Sequence, residues 1–243
     1  MLVIRPTCRL QFTPEDVTFI LSTLGSTERE QQALLRLLAD PATRDCVLDH
    51  ESLFRAVLAS TDCVPVSTRF YFYVLVRHVL LAAGITDVQV ADYVAELLSV
   101  FAKASHLRDP LGRGKGSLDY VVDILAAMDT VDDRGKFVLR AHLANFTLFL
   151  SGVFPDWIER RRQRKAAPAL SYYEEMGRAS YRAAAHHRLA RTYDLDGVFG
   201  TLSDTFHETR CALNEMRVRL LCMDDPEGLP EAVLSQSNRS VEG

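Results

Sequence analysis

The run RFYFYVLVRHVLLAA, Arg69–Ala83, and its counterpart FVLRAHLANFTLFL, Phe137–Leu150, are apolar on almost every side of a helix. A helix of that kind lies inside a protein rather than on its rim. Each run nevertheless carries an Arg and a His: Arg77 and His78 in the first, Arg140 and His142 in the second. Such side chains need partners if they are buried. The two runs together predict an all-α protein, a single globular bundle of about nine to ten helices with these two packed against each other at its centre.

Working outward, the remaining helices announce their starts. Thr13-Pro14-Glu15-Asp16 offers a capping hydroxyl, a proline suited to the first turn, and acids near the positive end of the helix dipole. Thr27 with Glu30, Thr86 with Gln89 and Ser171 with Glu174 have capping-box spacing. Ser67, Asp49 and Ser117 are single caps, and Gly25, Gly84, Gly152 and Pro168 are stops. The expected helices run near 14–24, 27–39, 42–59 with a break at Asp49, 68–83, 87–104, 118–129, 133–151, 155–166, 171–192 and 196–222. Met1–Phe12 alone has some alternation, with no second strand to pair it.

The chain has 243 residues, 48% hydrophobic and 25% charged, with a formal net charge of −4, which is ordinary for one globular domain. The expected domain covers 1–223, with a possible subdomain break at 106–117, where three glycines and a proline interrupt any helix. The acidic, Pro- and Ser-containing segment 224–243 reads as a flexible tail. Neither apolar run is long enough to cross about 30 Å of hydrocarbon, and the N-terminus lacks the apolar core of a signal peptide. Five scattered cysteines without a Cys-x-x-Cys pair argue against a disulfide framework and for a reducing cytoplasm.

Chemistry-bearing motifs are sparse. Gly112-Arg113-Gly114-Lys115-Gly116-Ser117 offers amides and two cations to a phosphate, but it is not a P-loop and reads first as a solvated linker. Asp92 and Glu96 share one face of their helix, so an antiparallel return after Gly84 would bring that face to Arg77. Asp204-x-x-His207 has a metal-ligand spacing but lacks the companion ligands of a helical metal site. Asp129, Asp132 and Asp133 read as helix caps. Arg160, Arg161, Arg162, Arg164 and Lys165 form a basic run at a helix end. In a net-acidic chain it suits an acidic protein surface better than nucleic acid. Gly177, Ser180 and Ala184 form a small-residue stripe beside Tyr173 and Tyr181.

No set of residues assembles a catalytic centre, a metal site or a cofactor motif from sequence alone. The leading expectation is a cytoplasmic helical protein-interaction or regulatory protein. Its partner would be another protein, with self-association allowed and no membrane involved, and Arg160–Lys165 would contribute to the contact surface. The second expectation is a binding protein or enzyme for an acidic or phosphorylated small molecule, held between the two apolar helices. Arg77, His78, Arg140, His142, Tyr173 and Tyr181 would line it, with Arg113 and Lys115 as further phosphate contacts.

Overall fold

The computed structural model describes residues 3–59, 66–102, 121–165 and 168–217. Among the described residues there is no strand, and the chain is all-α. A 3-10 turn, Cys8–Gln11, precedes α1 (Pro14–Leu24), α2 (Glu28–Ala39), α3 (Pro41–Leu48), α4 (Glu51–Ala59), α5 (Thr68–Ala82) and α6 (Val88–Phe101). After these come α7 (Val121–Met128), α8 (Asp133–Val153), α9 (Pro155–Lys165), α10 (Leu170–Ala185), α11 (Arg188–Thr192), α12 (Asp196–Asp204) and α13 (Phe206–Glu215).

The thirteen helices described exceed the nine to ten expected, and the surplus has a local cause. Three expected helices are each two. The break near Asp49 separates α3 from α4, and His50 Nδ1 accepts from the Ser52 amide to start the second. The expected helix over 171–192 stops at His186, and His187 caps α11 by accepting from the Leu189 amide. The expected helix over 196–222 breaks at Thr205, whose hydroxyl turns back to donate to the Thr201 carbonyl. None of these three breaks uses glycine or proline.

Other starts follow the expected chemistry. Thr13 with Asp16 and Thr27 with Glu30 form reciprocal capping boxes. Ser67 caps α5 and Asp132 caps α8. Asp16 does more than cap. It is buried, and it also accepts from the Ser67 amide and hydroxyl at 2.6 Å each, tying the start of α1 to the start of α5. The Ser171–Glu174 box does not form, because the N-cap position falls two residues earlier, on Ala169, which has no side chain to cap with, and Glu174 is used elsewhere. After α5, Gly84 takes φ +80, where a side chain would be strained, and the Ile85 amide reaches back to the Leu80 carbonyl.

The chain forms two compact units: Pro6–Glu96, and Leu97 onward together with Met1–Arg5. The division falls within α6. The expected break at 106–117 and the tail at 224–243 lie outside the described residues. The apolar run Arg69–Ala83 becomes α5 in the first unit, with Phe70, Tyr73, Val74, Leu75, Val76, Val79 and Leu80 all buried. The run Phe137–Leu150 lies in α8 of the second unit, which is buried almost continuously from Phe137 to Val153. There α10 lies along α8, and Gly177 lets it come close, since a Cβ at that position would run into the Phe206 ring and Thr147 Oγ1. Gly152 similarly admits Leu213 of α13. Pro155, unable to continue α8, starts α9 across an 88° bend. No single described helix is long and apolar enough to cross a membrane.

Candidate functional site

In the first unit the cationic side chains are closed off by carboxylates. Arg77 donates from Nε and Nη2 to both oxygens of Asp49 at 2.8 Å, and from Nη1 to the Thr86 carbonyl at 2.8 Å. That bidentate fork occupies one side of the guanidinium and the carbonyl takes another. The acids expected opposite Arg77 lie elsewhere. Glu96 pairs bidentately with Arg69 at 2.8 and 2.9 Å, and Asp92 accepts from the Arg9 amide and Nε at 3.1 and 3.2 Å. The register of the α5–α6 hairpin explains this. Once Arg69 sits opposite Glu96, Arg77 lies two turns further on, level with the start of α6, where a carbonyl replaces the expected carboxylate.

Around this network the carboxylate partners hold Arg9, Arg69 and Arg77 above their ordinary range, whereas burial governs Cys8, Tyr73 and Asp92. It pushes the Cys8 thiol well above its ordinary range, with Asp92 and Glu96 adding to the effect. The same cause raises the Tyr73 phenol and, against the Arg9 hydrogen bonds, the Asp92 carboxyl. Tyr73 Oη has no hydrogen-bond partner among the described residues, and the Arg9 guanidinium lies 5.8 Å from its ring centre. His78, next to Arg77, stacks flat on Phe54 with ring centres 3.5 Å apart, and it lies 3.8 Å from Glu51.

The remaining expected ligand contacts belong to the second unit. Arg140 is exposed on α8, while His142 is buried on the same helix with its ring 5.7 Å from that of Phe101. Tyr181 of α10 is buried and donates to Asn145 Oδ1 at 2.7 Å. Tyr173 is half-buried, which raises its phenol pKa. Arg113 and Lys115 lie outside the described residues. Along α9 the basic run is partly engaged at close range. Arg162 forks onto Glu159 at 2.8 and 2.7 Å, and Arg161 lies over the Trp157 ring at 4.7 Å. Arg160 is exposed, and the side chains of Arg164 and Lys165 lie outside the description.

Two further features emerge from the structure. The first is α2, a twelve-residue helix with four leucines and no buried residue. Leu34 and Leu38 are half-covered; Leu35 and Leu37 are 44% and 41% exposed. At about 100° per residue, Leu35 and Leu37 flank the Leu34–Leu38 line on opposite sides, so the apolar arc is wider than what its neighbours cover. Polar contacts hold its ends: Gln31 Nε2 donates to the Gly25 carbonyl, and Thr43 and Arg44 donate to the Leu37 and Leu38 carbonyls at 2.8 Å.

The second feature is a ring of four side chains between α10 and α13. Glu174 Oε1 lies 3.2 Å from His207 Nδ1 and accepts an ion pair from Arg210 Nε. His207 Nε2 lies 3.6 Å from Cys211 Sγ, and Arg210 Nη2 donates to the same sulfur at 3.1 Å. The local signal was the i, i+4 spacing of His207 and Cys211, which puts both on one helical face. Asp204, which has a metal-ligand spacing to His207, faces Arg182 at 4.0 Å. Among the described residues no group of three His, Cys, Asp or Glu is disposed to hold a metal ion.

Compared with known proteins, the chain matches no family model, no curated protein and no solved structure.

Proposed function

We propose that this protein is a helical interaction module that docks an amphipathic helix of another protein on the open side of α2. The observation that carries the reading is the helix itself: four leucines within twelve residues, none of them buried. Such a helix gains little from its own fold, while capping and end contacts hold it in place. A partner presenting apolar residues at i, i+3 and i+4 would complete the arc from either flank. The polar side of α2 carries Glu28, Arg29, Gln32 and Arg36, whose mixed signs create no field that would select nucleic acid or another polyanion. The small-molecule alternative loses its principal donor, because Arg77 already spends its fork on Asp49.

A photo-crosslinking residue at position 35 or 37 of the full chain, introduced in its native host, tests this. A discrete adduct with a second protein is expected, absent when the crosslinker replaces Arg29 on the opposite face. Leu35→Glu with Leu37→Glu should weaken the same complex tenfold or more, since each covered leucine contributes about 1 kcal/mol at these exposures. Helical circular dichroism should be unchanged. An adduct with a second copy of the chain alone, or none, overturns the hetero-partner reading.

A further inference from the structure

We propose that Cys211 is a reactive-thiol modification site that takes low-molecular-weight disulfides by thiol–disulfide exchange. Three cysteines can be compared. Cys8 is buried and donates to the Arg69 carbonyl at 3.2 Å, so reagents have no access to it. Cys46 and Cys211 are both exposed. Among the described residues only Cys211 has an imidazole nitrogen and a guanidinium on its sulfur.

The ring assigns a task to each group. Glu174 at His207 Nδ1 holds the proton on that nitrogen, which leaves the Nε2 lone pair facing the thiol. Glu174 also fixes Arg210, whose Nη2–H points at the sulfur where negative charge collects as the proton leaves. His207 Nε2 takes the Cys211 proton, and the sulfur electron pair attacks one sulfur of the incoming disulfide R–S–S–R. The S–S bond breaks, R–S⁻ departs and takes the proton from the imidazolium to become R–SH. Cys211 is left oxidised as the mixed disulfide with R–S, while R–S–S–R is reduced to R–SH, and an excess of thiol reverses the step. Exposure suits this chemistry, because attack must run in line with the S–S bond and Cys211 is open to solvent. The site is stoichiometric and requires no second cysteine.

The test is to incubate the reduced full-length protein with glutathione disulfide at neutral pH and map mixed disulfides by peptide mass over time. Cys211 should react at least tenfold faster than Cys46 in the same molecule. His207→Gln should bring Cys211 down to the Cys46 rate while leaving Cys46 itself unchanged. Because His207 is exposed, this variant should fold, which the unchanged helical signal and continued protection of Cys8 would establish. Arg210→Lys, which keeps the charge but loses the directed fork, should give an intermediate rate. Equal rates at Cys211 and Cys46, or an undiminished Cys211 rate in a folded His207→Gln variant, overturn the proposal.

Discussion

The two units solve the burial of polar groups differently. In Pro6–Glu96 the interior is crossed by ion pairs between residues far apart in sequence: Arg9 with Asp92 and Asp45, Arg69 with Glu96, Arg77 with Asp49. In the second unit the buried helix α8 is served by neutral groups. Tyr181 reaches Asn145, while Thr147 and Ser151 turn their hydroxyls back onto carbonyls of α8 itself. Buried ion pairs add little net stability over an apolar core, but each strongly penalises a register that leaves it unmatched. The first unit therefore has its helix register specified by charge. In the second, the packing of α10 and α13 on α8 is specified by shape, through the glycines that admit Phe206 and Leu213, and charge enters only away from α8, where Glu174 of α10 pairs with Arg210 of α13.

Arg77→Ala is the hardest blow to that contrast. It removes the partner of Asp49, and breaking a buried pair from one side costs about 3–5 kcal/mol. Asp49 keeps partial access to water, so the expected loss is near the bottom of that range, about 3 kcal/mol. Chemical denaturation should register it as a lower midpoint. Hydrogen exchange should place the gain in opening within α3–α6 and leave α8 and α10 protected. A loss shared equally by both units would break the contrast.

How much of this was legible beforehand follows from how far each interaction reaches. Thr13, Thr27, Ser67 and Asp132 cap their helices as read, because a cap joins residues three apart. The end of α5 at Gly84 was legible for the same reason. Ser171 and Glu174 have the right spacing but form no box, because Ala169 takes the N-cap position and Glu174 turns to His207 and Arg210, more than thirty residues away. Burial of Arg77 in an apolar run calls for a partner, but the α5–α6 register carries Asp92 and Glu96 away from it, and the α3–α4 junction supplies Asp49 instead. The breaks at His187, which caps the next helix, and at Thr205, which does not, carry no glycine or proline to mark them. The His207–Cys211 spacing was visible, whereas the group that orients the imidazole comes from another helix.

Gly177→Ala probes the other half of the contrast. Its new methyl would occupy space held by the Phe206 ring and Thr147 Oγ1, both buried, so α10 must lift from α8 or Phe206 must leave its rotamer. Overpacking of this kind costs about 1–3 kcal/mol, against which a slightly better helix propensity returns less than 1 kcal/mol. Because the methyl would overlap two carbons of the Phe206 ring and Thr147 Oγ1 at once, the cost falls at the top of that range, and thermal unfolding should show a net loss of about 2 kcal/mol. Phe206→Leu in the same chain should relieve part of it if shape sets the register; strict additivity of the two losses would say that it does not.

Tyr181→Phe should have the smallest effect and gives the finest discrimination. It deletes one neutral hydrogen bond, the 2.7 Å donation to Asn145 Oδ1, while preserving the ring that packs against Phe199 and Phe206. A neutral bond of this kind contributes about 1 kcal/mol. Since neither partner is charged, the loss should be the same at low and high salt, and α10 should keep its register. A loss approaching that of Arg77→Ala would mean that the packing of α10 on α8 also depends on a polar link. A loss below about 0.5 kcal/mol would leave that packing to side-chain shape alone.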